Sequence, residues 1–290
     1  MEEVRERYKK RSNFSEVWRR LKKSKLAMLG LAILLIYVFF SVFAGLISNY
    51  DNAIFQNTAI RLQGPSLTHI FGTDEYGRDV FTRVIYGARV SLMVALTTTF
   101  ISAVTACFIG SVAAYYGGFL DNVIMRILDM FMGIPMLLLA IAISASLGPG
   151  IENLVLAMTI SLIPGFTRVV RSVILNINGQ EFIEAARAYG SSDSHIIIKY
   201  VLPNAMGPVI VQATMSIAGV ILSTAALSYL GMGMQPPAPE LGSMLADGQG
   251  FMLYNANLVI FPGLAIAFSA LSLNLVGDGL RDALDPRLKT

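Results

Sequence analysis

Six apolar runs, each long enough to cross a bilayer, constrain this chain more than any other feature. They cover Leu26 to Ile47, Val90 to Tyr115, Asn122 to Leu147, Leu154 to Leu175, Pro208 to Leu230 and Leu258 to Val276. A hydrocarbon core ~30 Å thick is spanned by about 20 apolar residues as helix, and backbone in lipid must satisfy its own hydrogen bonds. Hydrophobic residues make up 54% of the chain and charged ones 14%, well below the roughly one quarter of a soluble domain. The sequence predicts an all-α, polytopic membrane protein with six transmembrane helices.

Charge orients the bundle. Ten basic residues precede the first run, which places the N-terminus in the cytoplasm. That run is too long for a signal-peptide core and lacks a cleavage pattern, so it reads as a retained span. Arg5, Arg7, Lys9, Lys10 and Arg11 open the chain. Phe14, Val17, Trp18 and Leu21 then form one helical face opposite Arg19, Arg20, Lys22, Lys23 and Lys25. Such a helix suits the membrane interface, so the net charge of +3 is assigned to membrane lipid and not to nucleic acid. Six spans return the C-terminus to the same side. The loops at Gly148–Gly150 and Gly231–Asn257 face out and contain no Lys or Arg, while Arg168, Arg171, Arg187, Lys199, Arg281, Arg287 and Lys289 fall inside. The chain divides into a cytoplasmic start (1–25), a first span (26–48), an outer loop (49–88), a membrane domain (89–278) and a cytoplasmic end (279–290). Cys107 is the sole cysteine, and His69 and His195 are far apart, so neither a disulfide nor a metal site is expected.

Some polar residues stand out. In the outer loop, Arg61, Arg78, Arg83 and Arg89 need counter-ions, and Asp74 and Asp79 are the nearest. This stretch reads as a loop locked by ion pairs, or as a gate or receptor contact. Val80, Phe81, Val84 and Ile85 fit one face of a short helix lying on the outer surface. The Pro-rich loop carrying Gln235, Pro236 and Pro237 reads equally as a rigid cap or as a landing surface for an external receptor. Arg126 and Asp129 lie three apart on the third span, as a structural or pathway-lining pair; Asp278 and Arg281 read the same way. Pro135 and Pro164 permit kinks, and Gly110, Ala113, Ala114, Gly117 and Gly118 allow close helix approach.

Between spans four and five, Glu181 to Pro203 is polar and reads as helix, turn at Gly190 to Asp193, and a second helix ending at Pro203. Glu184-Ala185-Ala186, three residues, Gly190, nine residues, then Tyr200-Val201-Leu202-Pro203 resembles the cytoplasmic loop of permease subunits in binding-protein-dependent ABC importers. Glu184, Ala185, Ala186, Gly190, Leu202 and Pro203 match that pattern, whereas Tyr200 replaces an aliphatic residue. The resemblance implies that this stretch (181–204), with Arg187 in it, is a coupling helix seated on an ATPase subunit. Gly72-Thr73-Asp74, Gly77-Arg78-Asp79, Gly231-x-Gly-x-Gln235-Pro236-Pro237-x-Pro239 and Gly277-Asp278-Gly279-Leu280-Arg281-Asp282 occur with it in order. As a set they resemble the C-type permease of dipeptide, oligopeptide and nickel importers; Leu241 departs from the Trp usual there.

That resemblance implies a type I ABC importer permease fold, half of a pathway completed by a second homologous permease, two ATPase subunits and an extracytoplasmic solute-binding protein, in a prokaryotic cell membrane. The chain has no Gly-x-x-x-x-Gly-Lys-Ser/Thr loop. It is therefore expected to be non-catalytic and to bind no cofactor, with ATP and Mg held by its partners. An ion-coupled secondary transporter is the alternative; it calls for ionisable residues near the bilayer midplane and inverted halves. An intramembrane enzyme calls for a buried nucleophile or base, and neither histidine lies mid-span.

Overall fold

Every apolar run becomes helix in the computed structural model, which describes residues 13–284. The basic residues Arg5 to Arg11, the side chain of Phe14, and Arg287 and Lys289 lie outside the described residues. Among the described residues, Thr73 and Asp79 form an isolated bridge and no strand is present. In chain order the helices are α1 (Asn13–Leu21), α2 (Lys25–Val42), α3 (Ala44–Ile47), α4 (Asp51–Ile54), α5 (Val80–Tyr116), α6 (Gly118–Met132), α7 (Met136–Leu147), α8 (Ile151–Asn178), α9 (Glu181–Ala188), α10 (Asp193–Ile196), α11 (Leu202–Tyr229), α12 (Leu241–Gln249) and α13 (Asn257–Leu284). Five are long and apolar enough to cross a membrane: α2, α5, α8, the segment running through α10 and α11, and α13. The bent pair α6–α7 makes a sixth if it is one span.

Several expectations change at the level of the element. The residues Val80 to Ile85 do not form a separate surface helix but open α5, 37 residues long and about 55 Å at 1.5 Å per residue. Gly87 falls between Arg83 and Arg89 yet stays helical, packed against Leu241, so the helix runs on past both charges. The first apolar run divides at Phe43 into α2 and α3. At Pro135 the expected kink is a break, with α6 and α7 meeting at 84°. Proline has no N–H to donate back, and the Gly133 and Ile134 amides instead bond Asp129 O (3.0 Å) and Phe131 O (3.2 Å) to close α6. Pro164, in contrast, stays inside an unbroken α8. Pro203 does not end a helix either. A π-helical turn, Ile197–Val201, precedes it and leads straight into α11, with Leu202 N bonding Ile197 O, so the wider turn absorbs the missing donor.

Two buried clusters hold the bundle. One joins α2, α5, α8, α11, α12 and α13 through Tyr37, Val80, Val84, Met158, Ile221, Leu227, Leu241 and Leu273. The other gathers Ala106, Phe166, Val170, Ile174, Ile183, Ile196 and Val201 around the ends of α5 and α8. Close approach is visible at Gly110, where a Cβ would come 2.9 Å from Val170 Cγ1. Gly117 and Gly118 serve a different purpose from the packing expected of them: both have positive φ (63° and 57°) and turn the chain from α5 into α6. At the start, α1 lies against α13 with Leu21 buried, while Trp18 is exposed under Lys22 Nζ, 5.1 Å from the ring centroid.

Candidate functional site

The Glu181–Pro203 stretch is an exposed polar element bolted to the bundle by a few buried side chains. Within α9, Ile183 is fully buried, whereas Glu184, Ala185, Arg187 and Gly190 are exposed and Ala186 is half-buried. α9 closes with paired backbone bonds, Gly190 N to Arg187 O (2.9 Å) and Ser191 N to Ala186 O (3.1 Å). That closure needs a left-handed residue between them, and Gly190 supplies it at φ +77° with open space where a Cβ would stand. Tyr115 Oη donates to Asp193 Oδ1 (2.8 Å), and Arg187 lies over the Tyr115 ring at 5.0 Å while donating to Asn178 Oδ1 (3.0 Å). Asn178 in turn donates to Ala114 O at 3.1 Å. Ile196 and Val201 are buried, Leu202 is half-buried and Pro203 is exposed. A force on the exposed face is therefore passed to the ends of α5 and α8 and along the continuous α10–α11 segment.

At the opposite end a buried ionic cluster fixes the loop between α4 and α5. Asp74 accepts from Arg78 Nε (2.6 Å) and from the Tyr76 and Arg78 amides (2.9 Å each), with Arg83 Nε 3.4 Å away. Arg78 and Arg83 are 2% and 3% exposed, so they act on the loop from inside it and do not reach an external receptor. Arg83 also donates to Ala53 O (2.8 Å) and Pro237 O (3.2 Å), tying this loop to the Pro-rich one. Asp79 is not an arginine counter-ion. Its Oδ2 caps α5 at Thr82 N (2.8 Å), and its Oδ1 meets His69 Nδ1 (3.0 Å). Arg61 and Arg89 form no ion pair among the described residues.

The Pro-rich loop folds back on itself. Gln235 Nε2 donates to Gly231 O (3.2 Å) and Gly233 O (3.1 Å), leaving Pro236 and Pro237 exposed. Leu241 is buried over Gly87, so a residue at that position packs inward and offers no outer contact. Glu240 caps α12 through Ser243 N (2.8 Å), and burial pushes its carboxyl above the ordinary range. Burial raises Glu75 too, partly opposed by Arg78.

Inside the bundle the Arg126–Asp129 pair is not formed. Asp129 turns to Arg168 on α8, and Arg126 is exposed. Nearer the Glu181 end, Arg171 makes a two-pronged contact with Asp121, Nε to Oδ1 at 2.6 Å and Nη2 to Oδ2 at 2.5 Å. Asp129 thus pairs across to α8 through a single Nη2–Oδ1 contact in place of its i,i+3 neighbour, whereas Arg171 and Asp121 meet fork to fork. Asp278 and Arg281 likewise form no ion pair among the described residues. Reading residues along one helix missed Arg168, Arg171 and Asp121; the usable signal was opposite charge on spans three and four, Asp121 and Asp129 against Arg168 and Arg171.

Comparison with known proteins gives this geometry its context. Residues 106–290 match the family described as "Binding-protein-dependent transport system inner membrane component", and residues 12–65 match "N-terminal TM domain of oligopeptide transport permease C". The "Dipeptide transport system permease protein DppC" of Alkalihalophilus pseudofirmus is 44% identical over 279 residues, covering 96% of this chain and 91% of that one. The "Glutathione transport system permease protein GsiD" of Escherichia coli is 42% identical, covering 96% and 92%. Among solved structures, inward-facing MetNI methionine ABC transporter matches with TM-score 0.58 at 20% identity, over 70% of this chain and 96% of that one, a likeness of fold alone. These matches favour an ABC importer permease over an ion-coupled secondary transporter. The chain belongs to the family of binding-protein-dependent transport system inner membrane components.

Proposed function

We propose that this chain is the non-catalytic permease subunit of an ATP-driven peptide importer, forming half of the pathway beside a second, related permease. Two ATPase subunits bind ATP and Mg and dock on Glu184, Ala185, Ala186, Arg187, Gly190, Leu202 and Pro203. A solute-binding protein approaches the opposite end, where Pro236 and Pro237 are exposed and Asp74, Arg78 and Gln235 hold the surrounding loops in shape. Both termini and the docking element face the cytoplasm, and the peptide substrate is inferred from the dipeptide and glutathione permeases this chain resembles.

One observation carries this reading: an exposed helix, closed at Gly190 and anchored by Ile183, leads through the short Ser191–Ser192 connection into the continuous α10–α11 segment. Closing of the ATPase dimer would move it as a lever and tilt the broken spans. The test is a gentle-detergent pull-down of wild type and Gly190→Trp, with co-eluting chains identified by mass spectrometry. Wild type should retain ATPases and a second permease; the variant should lose the ATPases while still inserting in the membrane. A lone or self-associated chain, indifferent to the substitution, overturns the assignment.

A further inference from the structure

Neither the docking element nor the outer loops account for the ion pair beside the broken span. Asp129 and Arg168 pair with side chains 47% and 53% exposed, although both lie in candidate membrane segments. Charge facing lipid is costly and persists in a span where it meets water or polar groups. Irregular backbone such as the Gly133–Pro135 break is likewise tolerated where it lines a cavity or is covered by protein. Such a cavity, about 220 Å³, lies against that break and is lined by Met132, Met136, Ser161, Pro164 and Gln212 among others. Asp129 stands one helical turn from Met132 and Arg168 one turn from Pro164, so the ion pair lies next in sequence to this lining without being part of it. A Cβ at Gly165, another lining residue, would meet nothing within 4 Å, so this wall is open. The neighbouring Arg171–Asp121 pair differs: its side chains are 28% and 12% exposed and locked fork to fork, as befits a tie between helices.

We propose that Asp129 and Arg168 form a charged station for the passing peptide, Asp129 receiving its terminal ammonium and Arg168 its terminal carboxylate. The ion pair is then the resting state that a zwitterion exchanges with, charge for charge. The flexible thioethers of Met132 and Met136 accept varied side chains without selecting among them. This inference rests on the peptide reading above and adds the residues that handle the peptide's invariant ends.

The complete transporter, with its partner subunits and binding protein, is reconstituted in liposomes and given a pool of oligoalanines. Uptake is read by mass spectrometry and ATP hydrolysis in parallel. Asp129→Asn and Arg168→Gln should each lower uptake by about tenfold or more, as expected for losing a charge-assisted contact, while the loaded binding protein still stimulates ATP hydrolysis. The swapped double variant Asp129→Arg/Arg168→Asp re-forms the pair in reverse and should stay defective. Arg168→Lys keeps the charge but not the fork; it should assemble even where other variants fail, with raised KM and unchanged kcat. Restoration of uptake by the swap, or a normal KM in Arg168→Lys, reduces the pair to a helix tie and overturns the inference. Absence of oligoalanine uptake by wild type overturns the peptide reading instead.

Discussion

Asp74 neutralises two buried arginines, and the consequence is asymmetric. Removing one partner of a buried ionic cluster strands the others without water, at about 3–5 kcal/mol, whereas losing a helix cap costs about 1 kcal/mol. Asp74→Asn should therefore destabilise the purified subunit severely in thermal unfolding, and Asp79→Asn only mildly. Equal effects would mean that Arg78 and Arg83 find other partners. Glu240 and Glu75 carry a further, pH-linked effect. A carboxyl held above its ordinary value of 4.5 binds its proton more tightly folded than unfolded. Its contribution to stability is thus greatest at acid pH and is lost as pH rises from 4.5 through the raised folded value. Glu240→Gln keeps an acceptor for Ser243 N and removes the ionisation. It should flatten the fall in melting temperature on the alkaline side of that window, while Glu240→Ala loses the cap at every pH. Asp74 was legible in the sequence because its partner lies four residues away. Arg168 was not, because its choice of Asp129 is made across two helices.

For the elements, what could be read depended on whether lipid or chemistry set them. A span must be long and apolar, so all the helical runs were visible; their ends were not, since Arg83 and Arg89 interrupt the hydropathy of α5 without interrupting its hydrogen bonds. Prolines misled in both directions. Pro203 falls where a π turn absorbs it, and Pro135 sits beside Gly133, where the chain closes α6 and starts again. The Glu181–Pro203 stretch was legible as a helix–turn–helix, but its attachment was not, because Ile183 looks like any apolar residue in a short amphipathic helix. That attachment is testable. Ile183→Ala removes a fully buried side chain, a change worth about 2–5 kcal/mol, and leaves that face of α9 held by half-buried Ala186 and by Arg187 on Tyr115 and Asn178. Hydrogen exchange over residues 181–196 should accelerate in this variant and remain slow in Glu184→Ala, which alters the exposed face alone. Equal protection in both would place the anchor at Tyr115–Asp193 instead.

Taken as a whole molecule, the chain has large apolar surfaces of two kinds, and hydropathy cannot separate them. Phe100 and Phe108 on α5 are 70% and 72% exposed along an unbroken helix, the normal state of a side chain in lipid. Met132 is 42% exposed beside the break, near Asp129, Arg168 and the cavity under Pro164. Broken backbone and half-exposed charge are both unfavourable against hydrocarbon, so the two surfaces should meet different surroundings in the assembled transporter. Because Cys107 is the one native cysteine, Cys107→Ser gives a background free of thiols. On it, Met132→Cys should react with a membrane-impermeant thiol reagent in inside-out vesicles, since thiolate chemistry requires water. Phe100→Cys and Phe108→Cys should remain unmodified in the same vesicles until detergent is added. Reaction would be read as a mass increment on the intact chain, and adding nucleotide to close the ATPases should slow it at position 132. If all three positions react alike, or only 100 and 108 do, then the break faces lipid or a dry protein contact. The route through the bundle would then lie along another face.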